Sequence, residues 1–488
     1  MSRVFRRLQF PRMRGLLALG VLLFLCGCSS VFDARSQKKE MIGLYTSGNF
    51  DACSRIAAEK AEKHRSTGDE LMWRYEEGSS AFAKGDYAKS IAAFERAEEI
   101  QANFENRAVV NAREVGAEAG AAVTNQNALP YQGTYVEKIL LNAHKALAYF
   151  ALGDSNGARV ELRRMYERQK ETQRRFEEDI AAAKKEASEK KLNAEKILDS
   201  SPEMKEFRKE LQSQSGAYGD FMNPFATYLS ALGYISEGKF SEALIDFENL
   251  HRMIPGNFIV QRDYVSCAKK LGRPIPEDLA EVKPLSYPLD NNIAYVIVAD
   301  GLAAAKKDMT IHLVLPPPIG YTGIAFPVLE YFPKPLSGVL IEDSCGNSYE
   351  TLPLANMDAV ISREYDQALT AMITRLVINF IVKEGASAAA VEVARQQGND
   401  WAWLAVLIGT SIYKYTFNTA DTRCWQTLPK EYQIMHLPLP PDGRLKLSPA
   451  GDPEKSVEIQ LDKRRKMAIV YVMAPGPGVF DVKIFEFN

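Results

Sequence analysis

Three hydrophobic patterns follow one another along the 488-residue chain. Residues 16–25 form an unbroken apolar run of ten, preceded by a stretch with five arginines and no acid. From about residue 35 to 275, apolar positions recur at helical spacing. A proline cluster at 274–288 then marks a boundary, and beyond it the pattern changes to short β-type runs between Gly/Pro turns.

In the helical part, glycine, small and aromatic positions recur with a period near 34 residues, the signature of tetratricopeptide-like helix pairs. The clearest unit has Ala231, Gly238, Phe240, Ala243, Phe247 and Pro255. Others carry Gly78, Gly85, Tyr87, Phe94 and Ala97; Ala146, Gly153, Ala158 and Leu162; and Gly48, Phe50, Cys53 and Ala57. Small residues let two helices approach closely, the glycine closes their turn, and the aromatic fills the groove against the next pair. One pair cannot bury its apolar face alone, so pairs must stack. Two insertions interrupt the spacing. Residues 101–135 are rich in Ala, Gly and Asn. Residues 166–213 interleave acids and bases with few apolar positions, which predicts a solvated long helix or a helical hairpin broken at Ser200-Ser201-Pro202. An arm reaching a partner is the other reading of that stretch.

Strands are expected at 293–299, 310–315, 324–329, 339–343, 433–437, 457–461, 468–473 and 480–487, with a slip of the alternation at Phe485. Many short strands suggest an antiparallel sandwich. Two helical segments, 357–384 and 386–417, stand between the strand groups. The second contains an uncharged run at 401–413, shorter than the roughly twenty residues that span a bilayer. It reads as a buried helix on the sheet, with membrane or partner docking as the alternative. The expected fold class is α+β: a tetratricopeptide-like helical array at 28–275, then a β-rich, sandwich-like domain at 284–488 with two inserted helices.

Composition adds compartment rather than chemistry. At 46 % hydrophobic and 25 % charged the chain is ordinary globular protein, not a disordered or collagen-like one. The arginine-rich start and short apolar run form a secretory signal. Leu25-Cys26-Gly27-Cys28 follows at once and resembles the bacterial lipobox, in which the final cysteine is lipidated and becomes the new N-terminus. Residues 1–27 are then the signal peptide and Cys28 the lipid-bearing residue. Losing five arginines takes the net charge from −2 to −7, which gives no footprint for nucleic acid. Ser29 and Ser30 lack the aspartate that retains such proteins at the inner membrane, so the expectation is an outer-membrane lipoprotein on the periplasmic face. That compartment permits disulfides. Cys345 and Cys424 lie in polar segments near strand-like runs and could pair, whereas Cys53 and Cys267 sit in helical patterns as small buried residues.

Catalytic patterns are missing. The five histidines (His64, His144, His251, His312 and His436) have no metal-ligand spacing, and no C-x-x-C, nucleophile elbow or phosphate loop occurs. No metal, cofactor or enzymatic activity is expected. Two local clusters stand out. Tyr131, Gly133, Tyr135 and Glu137 open an amphipathic helix that carries Asn142, with Glu137 in the first turn where the dipole favours an acid. Glu161, Arg163 and Arg164 follow on the next helix. This is either a packing joint with an internal ion pair, the simpler reading, or a polar, aromatic groove for a peptide or glycan. In the second cluster, Asp421, Arg423 and Trp425 could form a stacked, bidentate corner. It too reads first as a buried corner where helix hands over to strand, and otherwise as an interaction site.

These pieces together carry a resemblance. Tyr131-x-Gly133-x-Tyr135-x-Glu137, Leu152-Gly153-Asp154 with 158–164, Asp300-Gly301-Leu302-Ala303, 324–328, and Asp421-Thr422-Arg423-x-Trp425-x-x-Leu428-Pro429 are similar to motifs of a family of uncharacterised bacterial lipoproteins with tetratricopeptide-like repeats. Ala304 stands where that family often has proline. The resemblance implies lipidation and a helical-repeat half, and supplies no activity. The functional expectation is a non-enzymatic scaffold for protein partners in the periplasm or envelope. The alternative is an assembly factor that binds peptidoglycan or an exported polysaccharide, or activates a cell-wall synthase.

Overall fold

The computed structural model describes residues 34–111, 130–189, 193–215, 223–315, 320–396 and 420–487. Cys28, residues 112–129 of the first insertion and the run 401–413 lie outside them. The described chain is α+β, with helices in its N-terminal half and sheets in its C-terminal half.

The helices are α1 (Ala34–Thr46), α2 (Phe50–Lys63), α3 (Glu70–Lys84), α4 (Tyr87–Asn111), α5 (Tyr135–Ala151), α6 (Ser155–Glu189), α7 (Ala194–Leu198), α8 (Pro202–Ser215), α9 (Pro224–Ser236), α10 (Phe240–Met253) and α11 (Phe258–Lys270). Turn glycines separate α1 from α2, α3 from α4, α5 from α6 and α9 from α10. Gly85 (φ +92°) and Gly238 (φ +72°) adopt the left-handed conformation that ends a helix at low cost only for glycine. Gly48 and Gly153 do the same at their turns. Gly78 serves close approach instead: a Cβ there would come within 2.5 Å of the Phe94 ring.

The charged insertion divides in two. Helix α6 is the expected long, charged helix. After the break before Pro202, however, α8 buries Met204, Phe207 and Leu211, so this part is not a solvated face. Their spacing of three and four residues is an apolar stripe that the surrounding charge obscures.

The strands are β1 (Ile293–Asp300), β2 (Ala305–Leu315), β3 (Gly320–Glu330), β4 (Val339–Asp343), β5 (Ser348–Glu350), β6 (Leu352–Asn356), β7 (Glu431–Pro438), β8 (Arg444–Pro449), β9 (Val457–Gln460), β10 (Met467–Ala474) and β11 (Asp481–Phe487). Strands β5, β6 and β8 were not expected; β5 and β6 are short, while β8 alternates Leu445 and Leu447 with polar residues over a single brief run. A five-stranded sheet has the order β11-β10-β1-β7-β6, a four-stranded sheet β5-β4-β8-β9, and β2 and β3 form a separate hairpin.

The antiparallel expectation needs correction, because β1 and β10 pair in parallel at the centre of the larger sheet. Both are buried along their whole length. Tyr295 and Ile297 of β1 face the helices, while Val296 and Val298 face the smaller sheet. Coverage on both faces explains the continuous apolar sequences of these two strands. The alternation of β11 does not slip at Phe485 either: its pairing with β10 is continuous from Asp481 to Phe487. Phe485 belongs to the core shared with the helices, and Phe480 and Val482 pack on the side of the smaller sheet.

One hydrophobic core runs from Met41 through the helices and into the sheet as far as Phe485. The ring of Phe225 in α9 lies on that of Tyr432 in β7, 3.6 Å apart and 1° from parallel. A second core joins α7, α8, the β2–β3 hairpin and helix α12 (Met357–Gln396). Helix α12 continues through residues 384–386, where two helices were expected to separate.

Candidate functional site

The two motifs singled out by sequence meet where the helices grip the segment leading into β7. Thr134 caps α5 in a capping box with Glu137, so the Glu137 carboxylate is fixed by the Thr134 N–H (2.8 Å). The Tyr131 hydroxyl also donates to it. Its other oxygen accepts the backbone N–H of Trp425 at 2.6 Å, from 288 residues away. The Trp425 ring stacks on Tyr75 and donates Nε1–H to the Ser79 hydroxyl (2.8 Å).

Glu76 holds the next residues. It accepts the N–H of Gln426 (2.8 Å) and both the N–H and hydroxyl of Thr427 (3.3 and 2.7 Å). Lys38 donates to Glu76 at 2.6 Å and to the Cys424 carbonyl, with both charged side chains out of solvent. A buried charge persists only when paired and hydrogen-bonded, and this pair is both.

Arg423 binds Asp421 with two parallel bonds of 2.8 Å and reaches Asp69 at 3.0 Å. Its guanidinium lies 5.5 Å from the centre of the Tyr131 ring. The expected stacked, bidentate corner is therefore present, with Tyr131 rather than Trp425 as the ring. Burial alone would raise the Asp421 carboxyl, but the Arg423 guanidinium holds it below its ordinary value.

Glu364 of α12 accepts the first two N–H groups of α5, those of Tyr135 and Val136, at 2.9 Å each. It answers donors that a helix start leaves unpaired. Burial nevertheless pushes this carboxyl up to about 6. On the next turns, Asn142 donates to Glu161 (2.7 Å), and Lys145 lies 3.0 Å from both Glu161 and Glu98.

These positions answer the sequence-based candidates one by one. Tyr131, Glu137, Asn142, Glu161, Arg423 and Trp425 are buried and bonded within the chain. Asp421 completes the corner. Gly133 has a positive φ and no room for a Cβ, which would meet the Tyr75 hydroxyl at 2.7 Å. Tyr135 is half-buried and donates to Asp179 (2.7 Å). Only Arg163 projects into solvent, 3.7 Å from Glu167. The polar, aromatic groove is thus filled by the chain's own 420–429 segment, and the packing-joint reading describes it.

The possible Cys345–Cys424 bridge is not formed. Both are free thiols. Cys345 is exposed in the β4–β5 turn, beside the Ser344–Asp442 hydrogen bond, whereas Cys424 is buried against α1. Cys53 and Cys267 are buried as expected, and burial pushes both thiols up to about 12.

Sequence reasoning missed Lys38, Tyr75, Glu76, Asp69 and Glu364. Two of them left a signal. Lys38 stands three and seven residues before the buried Met41 and Tyr45, and Glu76 follows Met72 and Trp73 at four and three. A charge on an apolar helix face needs a buried partner.

A further polar relay lies nearby, where Tyr228 donates to Asp263 (2.8 Å), Asp263 is 2.7 Å from His436, and His436 is 3.0 Å from the Tyr287 hydroxyl. A small cavity lined by Tyr45, Ser79, His144, Thr427, Tyr471 and Met473 has room for about one water molecule. Burial lowers His144 to about 4, leaving it neutral there. Among the described residues no group of three His, Cys, Asp or Glu side chains is placed to hold a metal ion. No described helix is long and apolar enough to cross a membrane. The arrangement binds two halves of one chain together. No protein-family model matches the chain, and no curated protein matches it.

Proposed function

We propose that this chain is an outer-membrane lipoprotein, anchored through Cys28 on the periplasmic face, and that it serves as a non-enzymatic scaffold for envelope proteins. In this reading its helical half is a degenerate tetratricopeptide-like array, a view supported by the four turn glycines and the close approach at Gly78. The observation that supports the scaffold role is the use of the polar side chains: Lys38, Glu76, Glu137, Asp421 and Arg423 at the junction are taken up by bonds within the chain. Solvent meets instead the long charged helix α6, where Arg163 and Arg174 are both more than half exposed. Interleaved charges on a rigid helix suit a polar, reversible protein contact.

The test is a photo-crosslinking residue at Arg163, and separately at Arg174, in intact cells. A discrete protein adduct at either position is the expected result. No adduct at either, together with co-sedimentation of the purified protein with sacculi, would replace the scaffold by the envelope-polymer reading.

A further inference from the structure

We infer that the outward face of α1 rests on the bilayer that holds the Cys28 acyl chains, with the end of the five-stranded sheet where β1 finishes directed at the membrane. This rests on the lipid anchor proposed above. Only Ser29 to Asp33 separate Cys28 from Ala34, and the six residue steps between these two reach at most about 22 Å in any conformation. Helix α1 therefore starts close to the headgroups.

The placement of α1 then decides which part of the molecule is brought there. Arg35 pairs with Glu330 at the end of β3, whose ladder partner is Ala305 at the start of β2. Ala305 follows Asp300, the last residue of β1, by five positions. At the other end of α1, the Thr46 backbone packs against Gly476, two residues beyond the end of β10, where Ala474 pairs with Asp300. Helix α1 thus lies across one end of the sheet, buried on the face that carries Lys38, Met41 and Tyr45.

Its opposite face presents Ser36, Lys39, Glu40 and Gly43, and Ser47 follows in the turn, all exposed. Small and oppositely charged groups suit contact with phospholipid headgroups, and no apolar stripe is there to insert among acyl chains. Strand register puts Cys345 at the other end of the sheet. Val339 opens β4 near the Asp300 end, where the Leu336 N–H bonds Asp300, while Asp343 closes it opposite Leu445, beside the loop that leaves the far end of β7. Cys345 follows in the turn, so the protein carries a native exposed thiol on its membrane-distal end.

The experiment uses the full mature lipoprotein in phosphatidylethanolamine–phosphatidylglycerol nanodiscs that contain a lipid with a nitroxide on its headgroup. A fluorophore is placed on native Cys345 in one sample, and on a Lys39→Cys variant in a Cys345→Ser background in the other. The buried thiols of Cys53, Cys267 and Cys424 stay unlabelled in the folded protein. The position-39 probe is expected to be quenched at least about threefold more than the position-345 probe, because nitroxide quenching is short-ranged and the tether reaches only about 22 Å. Equal quenching, or stronger quenching at 345, overturns the orientation. The mass of the N-terminal peptide is read from the same samples. A Cys28 peptide without acyl chains would sink the anchor itself, whereas an acylated peptide with an unquenched position 39 sinks only the inference drawn here.

Discussion

The ring of Trp425 lies flat on that of Tyr75, 4.7 Å between centroids and 3° between planes. Tyr75 belongs to helix α3 and Trp425 to the segment entering β7, so this stack joins the helical and the β half. Trp425→Ala removes the ring and leaves a cavity, for which a loss of about 3–5 kcal/mol is expected. Trp425→Phe keeps an aromatic surface and loses the Nε1 bond to Ser79, for about 1–2 kcal/mol. Urea denaturation of both variants reads these values, and a loss below about 1 kcal/mol for the alanine variant would refute the clamp.

Lys38 and Glu76 should behave as a coupled pair. Glu76→Gln leaves a buried ammonium without its counter-charge and is expected to cost about 3–5 kcal/mol. Lys38→Met should cost a comparable amount, since it strands the carboxylate. The double variant should be more stable than the sum of the two losses implies, with a coupling of at least about 1 kcal/mol. Simple additivity in a double-mutant cycle would show that the two charges do not depend on each other.

Asp300 makes stability depend on pH. It is buried at the end of β1, bonded by the Leu336 N–H and near Glu431, Lys334 and Lys430, and burial pushes it up to about 7. An unfolded aspartate titrates near 4, so the folded state holds its proton more tightly. That contribution is full below about pH 4 and is lost as the pH rises through about 7. Asp300→Asn keeps the acceptor without the charge. It should stabilise the protein at about pH 8 by about 2–4 kcal/mol, and by much less near pH 5. Thermal unfolding at the two pH values decides; an unfolding temperature at or below that of the unsubstituted protein at pH 8 counts against the assignment.

Thiol reactivity should follow burial. In the folded mature protein, alkylation is expected to modify Cys345 alone, and Cys53, Cys267 and Cys424 should react only after denaturation. Intact mass before and after reduction should agree. A two-proton mass difference would reveal a bridge that this fold does not make.

Gly78→Ala drives a methyl group into the Phe94 ring and should destabilise by about 1–3 kcal/mol. Phe94→Leu added to it should recover part of the loss. Full stability of the single variant, measured by denaturant, would mean that the α3–α4 contact is looser than its geometry indicates.

Much of the local structure was legible. The left-handed glycines stand at the turns their positions implied, and β4 matches its expected bounds at residues 339–343. The Thr134–Glu137 capping box begins α5 where an acid in the first turn pointed. Strands β5 and β6 were not visible because they are short and stabilised by pairing, whereas β8 was overlooked although Leu445 and Leu447 alternate with Arg444 and Lys446 and are buried. The stripe on α8 was hidden by the lysines and glutamates around it.

What the amino-acid sequence determined by itself is therefore the set of elements: helix pairs, turn chemistry, most strands, and two clusters dense in Tyr, Trp, Arg and acids. These depend on neighbours within about one turn or one hairpin, and periodicity records them. The tertiary structure alone decided that Glu137 would receive the Trp425 N–H across 288 residues, that β1 and β10 would run parallel, and that the groove beside Tyr75 would hold the chain's own segment. Such contacts pair groups from distant elements. Each partner shows locally only that it is polar and lies among apolar residues, and the fold determines which one it meets.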